Sequence, residues 1–297
     1  MEAATNKKKE TLTGYAFIAP ALITFLVLVA FPFFFSIFLS FTKWNFLSGI
    51  KGIQWVGLEN FRKLGHDRLF KQAVWNTFIY AIATVPTSII ISLALAYALN
   101  GRVYMKKFLR LCFFIPYISN VVALAAIFKF LFREEGVIND FLMKIHLISE
   151  PLKWLTSPKL CKWPIILILI WSAIGYELII YMAAIQNVPT ELYEAAEIDG
   201  ATSTQRFWKI TVPLISPTTF YLVVVRLIGA FKVFSAINIM TTGTSAKYNT
   251  SMVIQIYGDA FSDYKFGYAS AEAVVLFAII LVITLINFVG QKKWVHY

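Results

Sequence analysis

Hydrophobic positions along the chain gather into six long runs, roughly 15–42, 74–99, 108–132, 164–186, 215–240 and 270–290, separated by more polar stretches. At about 1.5 Å per helical residue, about 20 apolar residues cross the hydrocarbon core of a bilayer. The pattern therefore predicts an all-α, polytopic membrane protein with six transmembrane helices. A transmembrane β-barrel would alternate apolar and polar residues in segments of about ten, whereas these runs are continuously apolar. No internal repeat or low-complexity tract is visible. The expected organisation is one transmembrane domain over 15–290, an N-terminal segment 1–14 and a tail 291–297, with no soluble domain.

Three connections are long enough to fold by themselves: 43–73, 133–163 and 187–213. In the first, Leu58, Phe61 and Leu64 recur every third residue, which puts apolar side chains on one face of a short interfacial helix. Asp67 then suits the N-cap of a helix entering the second span. The third connection reads as two short helices. Thr190 is placed to cap the first, and Glu191 and Glu194 in its first turns favour the helix dipole. Gly200 suits the C′ position. Thr202 and Gln205 fit a capping box that opens the second helix, and Pro213 is expected to stop it just before the fifth span. A rigid helical hairpin, anchored at both ends to membrane helices, is the result.

Composition sharpens the class. Hydrophobic residues make up 59% of the chain and charged residues 14%, against about 25% charged in a soluble domain. The net charge of +11 is scattered through loops, which suits anionic headgroups rather than nucleic acid. Lys7, Lys8 and Lys9 precede the first run as in a signal peptide, but that run is too long for a signal h-region and no small-x-small site follows, so it reads as a retained span. Lys/Arg density orients the chain only slightly. The loop 100–110, with Arg102, Lys106, Lys107 and Arg110, and the pair Lys292 and Lys293 favour cytoplasmic N- and C-termini. Cys112 and Cys161 are isolated from each other and from histidines, so they carry no metal or redox assignment.

Ala195 and Ala196 would let another surface approach the hairpin backbone closely, and Glu194, Glu197 and Asp199 surround them with negative charge. A partner with a groove and basic residues could seat this knob, and a push on it would reach spans four and five. On the physics alone a solvated turn is an equal reading. The segment ELYEAAEIDGATSTQRFWKITVPLISP, residues 191–217, resembles the EAA motif of permease subunits of binding-protein-dependent ABC importers. Glu194, Ala195, Ala196, Gly200, Ile210 and Pro213 fall on that pattern, with Val212 in place of leucine. WVGLENF with the later NT, GVINDFL at 136–142 and FGYASAEAVVLF at 266–277 resemble the carbohydrate branch of that family, the maltose, multiple-sugar and glycerol-3-phosphate systems. The stretch 240–253 departs from the branch pattern. The resemblance implies that the hairpin, including Asp199 and Ala201, is a coupling helix for a cytoplasmic ATPase. It further implies two ATPase subunits carrying ATP and Mg, a second similar permease, an extracytoplasmic solute-binding protein, and a place in the bacterial inner membrane.

The chain has no G-x-x-x-x-G-K-[ST] loop for a nucleotide, and neither an HExxH nor a nucleophile elbow. It is expected to be no enzyme and to hold no cofactor. Charges inside spans are costly and hence functional candidates. Lys129, Lys232 and Glu272 sit nearer span ends and can reach the interface. Glu177 and Arg226 lie about 20 Å deep on spans four and five by helical rise. They either pair with each other or face a substrate cavity. Sugars are held by aromatic faces and by amide or carboxylate groups, which adds Tyr181, one turn after Glu177, and the stripe Phe231, Phe234 and Asn238 as path candidates. An ion-coupled secondary transporter would need paired discontinuous helices and an internal repeat, neither visible in the sequence, and an intramembrane enzyme would need more than one Glu and one Arg.

Overall fold

A computed structural model describes residues 2–101, 103–241 and 246–295. Arg102, part of the stretch 240–253 and the end of the tail lie outside the described residues. The described elements are helical apart from a two-stranded hairpin. In chain order they are α1 (Glu2–Phe25), α2 (Phe31–Ser40), β1 (Thr42–Lys43), β2 (Gln54–Trp55), α3 (Glu59–Leu64), α4 (Arg68–Asn100), α5 (Lys106–Ile118), α6 (Val121–Leu131), α7 (Val137–Lys144), α8 (Trp163–Gln186), α9 (Thr190–Ile198), α10 (Ser203–Arg206), α11 (Val212–Leu214), α12 (Ser216–Phe231), α13 (Ser235–Met240), α14 (Ala246–Asn249), α15 (Met252–Tyr257) and α16 (Phe266–Gly290). Four helices are long and apolar enough to cross a membrane, and two further bent pairs raise the number to six if each is one span.

The chain forms two compact units, one from residues 1–66 with 256–275, the other from 67–255 with 276–297. In the first, α1 and α2 join through a wide π turn at Leu26–Ala30, just ahead of Pro32, which has no N–H to continue a regular ladder. Thr42 pairs with Trp55, and Lys43 with Gln54, antiparallel. The buried Asn60 organises this unit. Its Nδ2 donates to Ser40 O and Thr42 O, both at 2.9 Å, with Gly267 O at 3.4 Å. Gly267 must be glycine, because an added Cβ would collide with Thr42 O. The GLENF and FGYAS motifs are therefore two halves of one clasp. Leu64 is buried but Leu58 is exposed, so the apolar face expected on α3 is only partly used. Glu272, expected at an interface, is fully buried in the second turn of α16.

In the second unit α4 packs along α8, and both are sheathed by half-helices. The third and fifth apolar runs are broken, contrary to the continuous spans expected. α5 and α6 meet at 97°, where Asn120 accepts from Val122 N at 2.8 Å and caps a new helix inside an apolar run. α12 ends at Phe231, and α13 restarts beyond an exposed Lys232. The two second halves, α6 and α13, share one core with α4 and α8, built from Leu124, Ala125, Ile165, Ile168, Ile237 and Met240.

The loops of this unit are also organised by buried amides. Asn139 accepts from Trp154 Nε1 at 2.8 Å and from Leu152 N at 3.2 Å, and donates to Leu152 O at 2.9 Å. Asp67 caps α4, accepting from Leu69 N at 2.8 Å as expected. Residues 248–252 are pinned near the start of α4 and α8. Asn76 donates to Thr250 O at 2.9 Å, Thr77 Oγ1 accepts from Met252 N at 3.0 Å, and Lys162 Nζ donates to Tyr248 O at 2.6 Å. Burial there pushes the Cys161 thiol pKa up and the Lys162 ammonium pKa down.

Candidate functional site

The hairpin after α8 is built as expected with two differences. Pro189, at φ −55° and ψ 127°, occupies the N-cap position of α9, and Thr190 begins the helix with no side-chain cap. The extended backbone of Pro189 sets the start of α9, and the side-chain cap expected from the threonine is not made. At the other end, Gly200 takes φ +76°. Gly200 N donates to Glu197 O at 3.0 Å and Ala201 N to Ala196 O at 2.8 Å, the reciprocal closure of a Schellman turn. Thr202 and Gln205 form the capping box of α10. Pro213 does not stop the helix, which runs on to Leu214. A π turn at Phe207–Thr211 widens the backbone ahead of the proline, and the bend of 67° falls after Leu214.

Three contacts stiffen this hairpin and tie it to α4. Arg206 Nη1 lies 2.8 Å from Glu197 Oε2, and the Tyr193 and Thr211 hydroxyls are 2.8 Å apart. Tyr97 donates to Ser203 O at 3.1 Å and sets its ring edge-on to Phe207 at 4.7 Å. No residue of α9 is buried; Glu194, Ala195, Asp199 and Gly200 are exposed, Ala196 and Ala201 partly so, and Ile198 is 88% exposed. The nine-residue helix α9 thus stands uncovered, joined in sequence to α8 and bonded through its hairpin to Tyr97 of α4.

Within the helices, Arg226 Nε lies 2.9 Å from Glu177 Oε1. Glu177 is fully buried, whereas the Arg226 side chain remains 25% exposed. Ser88 and Ser92 of α4 donate to Glu177 Oε1 and Oε2, both at 2.9 Å. The carboxylate is therefore satisfied on both oxygens, as a buried charge requires. Tyr181 and Phe231, two of the path candidates, are packed away: Tyr181 donates to Thr219 Oγ1 at 3.2 Å, and Phe231 meets Phe78 edge-on at 5.1 Å. Phe234 is half-buried, and Asn238 lines a cavity of about 180 Å³ with Thr241 and Thr250.

Sequence reasoning missed a group of tyrosines beside the ion pair. The Tyr176 and Tyr221 hydroxyls are 3.0 Å apart, and Tyr117 stacks on Tyr176 at 5.1 Å. Tyr117 and Tyr221 are exposed. Gly175 makes this possible, since α5 crosses α8 so closely that a Cβ there would collide with Phe113 O. The one available signal was the adjacency of Tyr176 to Glu177; the partners lie on other helices.

Residues 70–293 match the family of binding-protein-dependent transport system inner membrane components. The chain belongs to this family. The permease is 35% identical to the probable ABC transporter permease protein YesP of Bacillus subtilis, over 100% of this chain and 96% of that one. It is 31% identical to the lactose transport system permease protein LacF of Rhizobium radiobacter, over 97% and 96%. A solved bacterial ABC transporter for import of the acidic polysaccharide alginate contains a chain with TM-score 0.84 and 26% identity, covering 99% of each chain. A further structure of an alginate transporter, in complex with its alginate pentasaccharide-bound periplasmic protein, matches equally well at TM-score 0.84. Membership makes this chain a multi-pass inner-membrane permease of an ABC importer, not an enzyme, working with a solute-binding protein.

Proposed function

We propose that this permease forms half of the translocation path for a carbohydrate, and that α9 is the coupling helix through which ATP hydrolysis on another chain drives the path open and closed. The observation that carries the reading is the exposed, doubly capped hairpin that joins α8 to α12 and is bonded to α4. Residues 187–213 then face the cytoplasm, the bent pair α5–α6 and the run through α12 and α13 count as the third and fifth of six spans, the domain runs over 15–290, and both termini are cytoplasmic. The expected assembly has two permeases, two ATPase subunits holding ATP and Mg, and the binding protein.

Within the path, the partly exposed Arg226 and the phenols of Tyr176 and Tyr221 are suited to sugar hydroxyls, while the ring of Tyr117 offers an apolar face to a pyranose. Phe234 and Asn238 stand further along the same span. Tyr181 and Phe231 would reach a sugar only in another conformation of the helices. The relatives' sugar substrates support the carbohydrate class.

The test is ATPase activity of the reconstituted complex with binding protein and a panel of sugars. Stimulation by loaded binding protein is expected for the wild type and lost in Gly200→Asp, which puts a side chain on a left-handed backbone at the tip. A variant that responds like the wild type would remove the coupling role from α9.

A further inference from the structure

The elbow between α4 and α5 carries a set of cations that no carboxylate among the described residues neutralises. Lys106, Lys107 and Arg110 fall within the first five residues of α5, and no acidic residue shares that turn. Among the described residues none of the three is paired with a carboxylate. Lys106 Nζ reaches only a backbone oxygen, Asn100 O at 3.1 Å, and Arg110 Nε is buried without a hydrogen-bond partner. Positive charge at this end of a helix opposes the helix dipole, so the sequence tolerates an arrangement that an anion would relieve.

Directly above the cations, α5 turns an apolar stripe outward. Phe108, Leu111, Ile115 and Ile118 are all exposed and follow one another at helical spacing. Lys107 is exposed at the foot of this stripe, one turn before Leu111. Tyr104 and Met105, at the tip of the elbow, are exposed as well. Cations at one level with an uncovered apolar stripe leading away from them match one molecule in a membrane: a phosphate headgroup with its acyl chains.

We propose that Lys106, Lys107 and Arg110 bind the phosphate of an acidic phospholipid whose chains lie along α5. The site has a route to the transport cycle. Asn100, which holds Lys106, lines a cavity of about 400 Å³ together with Tyr97 of α4 and with Tyr193, Ser203 and Arg206 of the hairpin. A lipid held at the elbow would therefore brace the α4 end to which the hairpin is bonded. This effect on ATPase rests on the coupling reading above; binding of the lipid does not.

The experiment uses the complete transporter in nanodiscs of phosphatidylcholine with a minor fraction of phosphatidylglycerol. Native mass spectrometry counts phosphatidylglycerol retained after exchange into phosphatidylcholine. The wild type is expected to retain it, and Lys106→Gln/Lys107→Gln/Arg110→Gln to lose affinity by about fivefold per cation removed. The pair Lys292→Gln/Lys293→Gln serves as control and should retain lipid. Lys107→Gln alone, at an exposed position, gives the same readout if the triple variant fails to assemble. Equal retention by wild type and variants overturns the site. If millimolar inorganic phosphate in pure phosphatidylcholine raises the melting temperature of the wild type and not of the variant, a free anion is the ligand and the lipid assignment falls. ATPase rates with and without phosphatidylglycerol are read separately. Lipid retention without an ATPase effect leaves the site standing and removes only its link to coupling.

Discussion

Arg226 and Glu177 form an ion pair of 2.9 Å across two helices, with the carboxylate fully buried and the guanidinium partly open. The asymmetry assigns them different work. Glu177 is held by Ser88, Ser92 and Arg226, and ties α4, α8 and α12 at one level. Arg226 keeps part of its side chain exposed.

Removing one partner should be worse than removing both. Arg226→Ala leaves an uncompensated buried carboxylate, expected to destabilise by about 3–5 kcal/mol. Adding Glu177→Gln should recover much of this, because the amide still meets both serines. Melting temperatures of the purified complex check it. The reversed pair, Glu177→Arg with Arg226→Glu, should transport better than Arg226→Glu alone; a double variant no better than the single would separate the pair functionally.

Close approach of α5 to α8 depends on one missing side chain. Gly175→Ala places a Cβ against Phe113 O and 3.0 Å from Phe114 Cα. The backbone must give way, at a cost of about 1–3 kcal/mol, and Tyr117 should lose its stacking on Tyr176. Gly229→Ala meets nothing within 4 Å and should leave both stability and transport near wild type. Thermal unfolding of the two variants, side by side, distinguishes a packing effect from a general cost of change in a membrane helix.

The Asn60 clasp should behave as a structural element only. Asn60→Leu leaves the carbonyls of Ser40 and Thr42 without their donor, expected to cost about 1–3 kcal/mol. Reduced assembled yield with normal sugar-dependent ATPase per assembled complex is the expected result. A change in the stimulation ratio would instead place this clasp in the transport cycle.

Loosening the hairpin from α4 should uncouple it without unfolding it. Tyr97→Phe keeps the ring against Phe207 but loses the bond to Ser203 O. Expression and melting temperature should be unchanged, while sugar transported per ATP hydrolysed falls. Thr202→Ala, which removes the cap of α10 and about 1 kcal/mol, should act in the same direction.

Much of this was legible in the sequence. Apolar runs of sufficient length foretold membrane helices, because lipid leaves the backbone few alternatives. Local chemistry fixed the hairpin. Gly200 is needed for a positive φ, and Thr202 and Gln205 cap one another across three residues. The breaks were less legible. Asn120, an N-cap residue inside an apolar run, was the available sign of the first one. Lys232 marked the second, but a lysine near a span end is equally read as snorkelling. Thr190 and Pro213 were misread because backbone decided both places: the extended Pro189 sets the start of α9 one residue earlier, and a π turn accommodates Pro213 inside the helix.

What the sequence determined by itself is whatever depends on neighbours a few residues apart: membrane insertion, helix caps, and the hairpin whose pattern names the family. Tertiary structure decided which distant groups meet. Asn60 reaches Gly267 across 207 residues, Glu177 finds serines on α4 at separations of 89 and 85, and three tyrosines from three helices share one surface. Periodicity gives the face a residue occupies on its own helix, but not the helix it faces. That choice is made by packing, where a glycine at 175 or 267 lets backbones touch and a single Cβ would forbid it.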